Sequence, residues 1–250
     1  MHGLDRMKEL PALWINRPQD TDRAERFLRE TAPLFASHHP ITPTIFEQTD
    51  LQIASDFVAM CANTRKYADP AGYFDVIGQY RASQPTLKSR PKLAYEYRAT
   101  YSLFLTVIHA LTFGVEMGYE RFMILEDDAV PRRDVLFHTE PIPGSDLLIW
   151  GGAVRRANVR RDERQYLSYK HPSWVKVNGG DQRYFAHAYE VTAHGARTLI
   201  RTMTEHPMTA DTSWWYAYHE LNAHTLEPMA FIQQGPSIRT RATRNGVAAR

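Results

Sequence analysis

The sequence predicts an α/β fold, a three-layer α/β/α sandwich with a mostly parallel central sheet. Two short and fully apolar runs, residues 122–125 and 147–150, are typical of buried strands. Residues 93–115 carry apolar side chains at helical spacing. Strands that alternate with helices in this way indicate a sheet whose helices cover both faces.

The first predicted elements lie before residue 50. Residues 10–16 form an apolar run ending in Asn16, which predicts a buried strand. Residues 20–22 supply N-cap and first-turn residues for a helix that contains Phe27. Residues 41–46 predict a second strand, and Pro43 would place it at an edge of the sheet.

The strongest helical signal follows a polar stretch, residues 62–92, that we interpret mainly as loop. Gly118 stands where a C-terminal stop is expected. Later, residues 184–191 predict another strand, and Thr192 is placed as the N-cap of a helix from residue 193 to about residue 203. The apolar stripe of the long helix consists of Leu93, Tyr97, Tyr101, Phe104, Ile108, Leu111 and Val115.

Length and composition favour one globular domain over residues 1–250. The chain is 43% hydrophobic and has a net charge of only +2, which gives no support to a nucleic-acid partner. No run approaches the ~18 apolar residues of a membrane span. Cys61 is the single cysteine, which excludes an intrachain disulfide and a zinc–thiolate cluster and fits the cytoplasmic location that we expect.

The acidic run Glu126-Asp127-Asp128 directly follows the strand at residues 122–125. Ligands bind beyond the carboxyl ends of strands in open α/β sheets. Adjacent acids beside a buried strand repel one another unless a cation compensates them, and Mg²⁺ and Mn²⁺ prefer carboxylate oxygens. An extended backbone would put Glu126 and Asp128 on one face and Asp127 on the other. A solvated strand end is the alternative.

Residues 117–129, which read MGYERFMILEDDA, resemble the helix end, strand and acidic block of glycosyltransferase family 25, the lipopolysaccharide-biosynthesis type. This block also resembles the metal-dependent GT-A enzymes more broadly. Residues 13–16 and 22–23 resemble the opening strand and donor loop of the family, and residues 188–196 resemble its strand-then-helix block. Residues 228–238 resemble its closing segment, so the match is collinear over about half of the chain.

The resemblance implies a GT-A-like, metal-dependent transfer of sugar from a nucleotide diphosphate-sugar, with UDP as the expected nucleotide. Residues up to about 130 would bind the nucleotide, and residues from about 131 would bind the acceptor, a glycan or lipopolysaccharide hydroxyl. A basic tail from about residue 239 is expected to be disordered. Mn²⁺ or Mg²⁺ would be held by Asp128 and Glu126. The residues expected to contact the donor are Asn16, Arg23, Glu126 and Asp127.

Asp211 matches the acid that follows the strand-then-helix block of the family, and it is our candidate for the catalytic base. A carboxylate near the reacting centre can take the proton of an acceptor hydroxyl. The alternative is that Asp211 caps a helix beginning at Thr212. His187, just before the strand of the same block, is a weaker candidate for contact with donor phosphates or the metal.

Three alternatives to the glycan transferase remain open. A different metal-dependent phosphate enzyme, such as a nucleotidyltransferase, would use similar acids. A catalytically silent nucleotide-sugar-binding protein is a second alternative, because the family's small-residue and Ser-His signature is poorly kept around Thr106. The third is a viral-type transferase acting on hydroxymethylated bases of DNA, for which clustered arginines would contact phosphates. These arginines are Arg155, Arg156, Arg160, Arg161 and Arg164, with Arg239, Arg241, Arg244 and Arg250 in the tail.

Overall fold

The computed structural model describes residues 3–16, 19–43, 91–155, 172–178, 182–207 and 210–233. Within these ranges only the backbone is described for residues 91–99, 153–155, 182–186, 210–212 and 215. The described helices are α1 (Gly3–Met7), α2 (Thr21–Thr31), α3 (Pro91–Glu116), α4 (Arg133–Phe137), α5 (Ala193–Glu205) and α6 (Ala210–Ala217), with a 3₁₀ turn at Ala32–Leu34. The described strands are β1 (Pro11–Ile15), β2 (Ser37–Ile41), β3 (Arg121–Glu126), β4 (Ala129–Pro131), β5 (Leu147–Arg155), β6 (Ser173–Lys176), β7 (Gln182–Thr192), β8 (Ala223–Glu227) and β9 (Phe231–Gln233).

The central sheet has the strand order β2-β1-β3-β7-β5-β8-β6. Strands β1, β2, β3, β5 and β8 run in one direction, because β1 is parallel to β2 and β3, and β5 is parallel to β8. Strands β7 and β6 run the opposite way, since each pairs antiparallel with its neighbours. The predicted α/β class with a mostly parallel central sheet is confirmed.

Helices cover both faces of this sheet. On one face Leu111 of α3, Leu199 of α5 and Trp214 of α6 belong to one buried apolar cluster. On the other face Phe27 of α2 and Leu136 of α4 belong to a second cluster. The described residues therefore form three layers, helix, sheet and helix.

The order of connections places a switch point between β1 and β3. The chain leaves β1 through α2 on one face and enters β2 on one side of β1. It later passes through α3 on the opposite face and enters β3 on the other side of β1. The crevice for ligands in such sheets lies beyond the carboxyl ends of two strands related in this way.

Helix α2 is held on the sheet by three buried residues spaced four apart, Arg23, Phe27 and Thr31. This spacing puts the three side chains on one face of the helix. Phe27 stacks on Trp14 of β1, with ring centroids 5.0 Å apart. Arg23 lies one turn earlier, in the first turn of a helix that starts near the carboxyl end of β1.

Several sequence-predicted elements are confirmed with small changes in their bounds. The apolar run at residues 10–16 is β1, the stripe at residues 93–115 is α3, and the run at residues 184–191 is β7. Gly118 has φ of 73° and ends α3 in the left-handed conformation that glycine tolerates. Thr192 caps α5, because its side chain accepts a hydrogen bond from the backbone N–H of Gly195 at 2.9 Å.

Two predicted strand boundaries are wrong. The second strand is Ser37–Ile41 and not residues 41–46, and residues 44–46 lie outside the described part of the chain. Its sequence, Ser-His-His-Pro-Ile, has no apolar alternation, and parallel pairing with β1 accounts for its formation. Strand β5 continues through the two glycines after Trp150 to Arg155, with irregular pairing around Gly151. No helix in the described ranges has the length and apolar character needed to cross a membrane.

Candidate functional site

The acidic run forms a buried turn at the end of β3. Asp127 and Asp128 lie between β3 and β4, and their exposed fractions are 3% and 2%. The backbone N–H of Asp127 donates to the carbonyl oxygen of Ile15 at 3.1 Å. The turn is therefore attached to the end of β1, at the switch point of the sheet. Burial of both carboxylates excludes the interpretation of these two residues as a solvated strand end.

Arg23 of α2 reaches both carboxylates of this turn. Its Nη2 atom lies 2.5 Å from Oδ1 of Asp127 and 3.2 Å from Oδ2 of Asp128. The expectation that Asp127 and Asp128 point to opposite faces is wrong, because the backbone turns after Glu126 and does not stay extended. Arg23 itself is 5% exposed, so it is part of the buried site.

Several polar atoms of this site are buried without a hydrogen-bond partner in the described structure. They are Nε and Nη1 of Arg23, Oδ1 of Asp128 and Oδ1 of Asn16. More than nine in ten buried polar groups in native proteins have a partner, so a group of exceptions in one place needs an explanation. A binding site is expected to have hydrogen-bond donors and acceptors without protein partners, and these atoms lie at the carboxyl ends of β1 and β3.

The two buried carboxylates of the turn lie against the same guanidinium group. Asp127 and Asp128 both contact Nη2 of Arg23, and Arg26 adds positive charge within electrostatic range of Asp128. Burial raises the pKa of the Asp128 carboxyl above its ordinary value, while Arg23 and then His187 oppose that shift. A bound cation or a proton relieves the repulsion between the two neighbouring carboxylates.

His187 of β7 is buried beside this site and lies within electrostatic range of Asp128. Its Nε2 donates to the carbonyl oxygen of Phe231 at 2.9 Å. Space for the imidazole ring depends on Gly151, because a Cβ atom there would lie 2.6 Å from Nε2 of His187. The structure therefore brings His187 to the acids, although its Nε2 atom is already engaged with the backbone.

Glu126 contacts β9 and lies on the sheet face of Tyr189. Nε2 of Gln233 in β9 donates to Oε2 of Glu126 at 3.3 Å. Ile124 pairs with Tyr189 across the sheet, so the alternation of side chains along β3 puts Glu126 on the face of Tyr189. Burial raises the pKa of Tyr189 well above its ordinary value, and the carboxylate of Glu126 adds to the shift.

The expected metal pair of Asp128 and Glu126 stays a prediction. In the described ranges, no group of three or more His, Cys, Asp or Glu side chains could hold a metal ion. Of the donor residues predicted from sequence, Arg23 and Asp127 are in contact, and Asn16 follows the strand to which the acidic turn is attached.

The backbone of Asp211 lies in the first turn of α6, and its side chain is outside the described part of the structure. Helix α6 ends at Ala217, shortly before β8 begins at the amino-end edge of the sheet. Its first turn therefore lies toward the carboxyl-end edge, where Asp127 and Asp128 are found. The N-cap interpretation is wrong, because the helix already includes Ala210.

The arginine clusters do not contribute to the described site. Arg155 is described only as backbone at the end of β5, and the other clustered arginines lie outside the described residues. They are Arg156, Arg160, Arg161, Arg164, Arg239, Arg241, Arg244 and Arg250.

Comparison with known proteins assigns no family to this chain. No model of a known protein family matches it, and no curated protein matches it with significance. Function is therefore inferred from the geometry of the site.

Proposed function

We propose that this protein is a GT-A-like glycosyltransferase of the family 25 type. It moves a sugar from a nucleotide diphosphate-sugar, foremost a UDP-sugar, to a hydroxyl group of a glycan or lipopolysaccharide. The observation that supports the proposal is the buried group of Arg23, Asp127 and Asp128 at the switch point between β1 and β3. Mononucleotides and dinucleotides bind open α/β sheets at this position.

The open donors of Arg23 suit a diphosphate. Nε and Nη1 are N–H donors without a protein partner, and they belong to the same planar guanidinium group whose Nη2 contacts the acids. Because Nε and Nη1 point along different edges of the planar group, each can donate to a separate oxygen of an anionic ligand such as a diphosphate. Asn16, at the end of β1, adds an open amide oxygen that can accept from a hydroxyl or an N–H group of the ligand.

The residues at the acidic turn also suit Mn²⁺ or Mg²⁺. Mg²⁺ in phosphate-binding sites is held by one or two carboxylates, with substrate phosphates and water completing its coordination. Oδ1 of Asp128 is buried without a hydrogen-bond partner, and the carboxylate of Asp127 contacts the same atom of Arg23. We assign the metal to Asp128 first, with Glu126 as the second ligand, although Oε2 of Glu126 also accepts from Gln233. When bound, the metal supplies positive charge to the leaving diphosphate.

The reaction is a displacement at the anomeric carbon of the donor sugar. The oxygen of the acceptor hydroxyl forms a bond to that carbon as the bond between the carbon and the diphosphate oxygen breaks. The nucleoside diphosphate leaves with the electron pair, and the acceptor proton passes to the carboxylate of Asp211. Arg23 stabilises the charge that develops on the leaving diphosphate.

The decisive experiment is a screen of nucleotide-sugars with Mn²⁺ and a mixture of glycan acceptors, followed by identification of the products. Release of a nucleoside diphosphate together with an extended glycan is the expected result. Pyrophosphate or a nucleoside monophosphate would identify a nucleotidyltransferase instead. Tight donor binding without any turnover or donor hydrolysis would identify a catalytically silent binding protein.

A further inference from the structure

We infer that Arg23 is an internal counter-cation that occupies the acidic turn until a nucleoside diphosphate arrives, so that the metal and the nucleotide bind cooperatively. The inference rests on the proposed function for the identity of the nucleotide. The competition between Arg23 and the metal depends only on the geometry of this chain.

The first step of the argument is that Arg23 occupies the acids that a metal would use. Its Nη2 atom contacts one oxygen of Asp127 and one oxygen of Asp128. All three side chains are at least 95% buried, so water screens their interactions weakly. A divalent ion that binds Asp128 must therefore share the carboxylates with a guanidinium group already in place.

The second step concerns the charge after binding. With Arg23 in place, a divalent ion adds two positive charges beside a guanidinium group that already contacts the same acids. Two cations would then lie on the same pair of acids, and their repulsion in a buried site opposes metal binding. A diphosphate adds negative charge that binds both cations, so it removes this repulsion.

The third step is that Arg23 has atoms ready for the nucleotide. Its Nε and Nη1 are buried without a partner, although the same group is engaged through Nη2. Arg23 can therefore donate to a diphosphate from Nε or from Nη1 and release its contact with Asp128 to the metal. Because coupling between two ligands is reciprocal, the metal raises nucleotide affinity by the same factor as the nucleotide raises metal affinity.

The test measures Mn²⁺ binding by calorimetry to the full chain with and without UDP, with GDP in parallel. We expect the wild-type protein to bind Mn²⁺ alone weakly and at least about tenfold more tightly when UDP is present, within the usual range of such coupling. Arg23→Gln removes the competing cation. It should bind Mn²⁺ alone at least about tenfold more tightly than wild type and lose most of the effect of UDP.

Two controls separate this effect from a general change of charge. Arg29→Gln removes an exposed arginine from the last turn of the same helix and should bind Mn²⁺ as the wild type does. Arg23→Lys keeps the positive charge, so Mn²⁺ alone should still bind weakly.

If Arg23→Gln does not fold, a second pair of variants tests the same inference. The double variant Arg23→Gln with Asp127→Asn has the same net charge as the wild type but lacks the guanidinium group. It should bind Mn²⁺ more tightly than Asp127→Asn alone. Equal Mn²⁺ affinity with and without Arg23 in both comparisons would overturn the inference. Absence of UDP and GDP binding, with Mn²⁺ tighter in Arg23→Gln, would overturn the proposed function and leave the competition established.

Discussion

Phe27 of α2 stacks on Trp14 of β1 at a ring-centroid distance of 5.0 Å and an interplanar angle of 18°, and this contact orients the helix that carries Arg23. Arg23 lies one turn before Phe27 on the same buried face. An apolar contact between helix and strand thereby positions the charged group that contacts the acidic turn. Stability of the domain and organisation of the site are coupled through this pair.

Phe27→Ala should lower the free energy of unfolding by roughly 3–5 kcal/mol, the usual cost of removing a buried phenylalanine. The expected cause is the loss of burial and of the stacking on Trp14. Denaturant unfolding followed by circular dichroism measures the change. Glu25→Ala, an exposed position on the same helix, should change stability by less than about 0.5 kcal/mol. Equal stability of the two variants would contradict the assigned role of Phe27.

Asp128→Asn should abolish most of the transfer activity without loss of folding. The pKa of Asp128 is raised in the folded protein, chiefly by burial, so the folded state holds its proton more tightly than the unfolded state. The contribution of Asp128 to stability therefore falls as pH rises from its ordinary pKa of 3.8 toward the raised value. The asparagine variant removes this loss because it does not ionise.

Thermal unfolding of wild type and Asp128→Asn across pH 4–7 tests the direction of this pH dependence of stability. Relative to the wild type, the variant should become more stable as pH rises through the lower part of this window. A variant that instead loses stability relative to wild type with rising pH would show that ionised Asp128 stabilises the fold. Activity of the variant close to wild type would remove Asp128 from the proposed metal site.

Patterns in the sequence predicted the framework of the fold and the place of the acids. Residues 10–16 and 122–125 have continuous apolar runs, and α3 has a long apolar stripe, so each signal is local. The apolar run at residues 122–125 ends directly before the acids. Its end marks the carboxyl end of β3, and Asp127 and Asp128 could therefore be placed at the ligand-binding edge of the sheet.

The pairing of Arg23 with these acids could not be predicted in the same way. The residues are about a hundred positions apart in the sequence, and their contact depends on the packing of α2 on β1 and on a turn after Glu126. The spacing of Arg23, Phe27 and Thr31 was the available signal, since it puts Arg23 on a buried helix face. Short strands such as β4 and β9 could not be predicted from the sequence, because three residues are too few to show a periodic pattern. These two strands form by pairing with each other.

Gly151→Ala should destabilise the protein by roughly 1–3 kcal/mol, as other insertions into a packed interior do. An added Cβ would lie 2.6 Å from Nε2 of His187 and 2.8 Å from the carbonyl oxygen of Phe231. Either the imidazole or β9 must move, and both lie next to the acidic site. Thermal unfolding measures the loss, and Mn²⁺ affinity in the presence of UDP measures the disturbance of the site. An alanine variant that matches the wild type in both measurements would show that the crowding at His187 is readily relieved.

Asp211→Asn should separate donor binding from chemistry. Asp211 lies in the first turn of α6, which topology places toward the carboxyl-end edge of the sheet. If its carboxylate accepts the proton of the acceptor hydroxyl, the amide variant should transfer sugar at least about 10²-fold more slowly, the usual scale for loss of a general base. UDP binding in the presence of Mn²⁺ should stay within about twofold of wild type, because the donor contacts assigned to Arg23 and Asp128 are unchanged.

Glu205→Gln, which neutralises an exposed acid at the end of α5, is the matched control and should keep wild-type turnover. Near wild-type turnover of Asp211→Asn would assign the proton transfer to another group. Glu126 would then be the next residue to test, because its carboxylate lies on the sheet face that α6 covers.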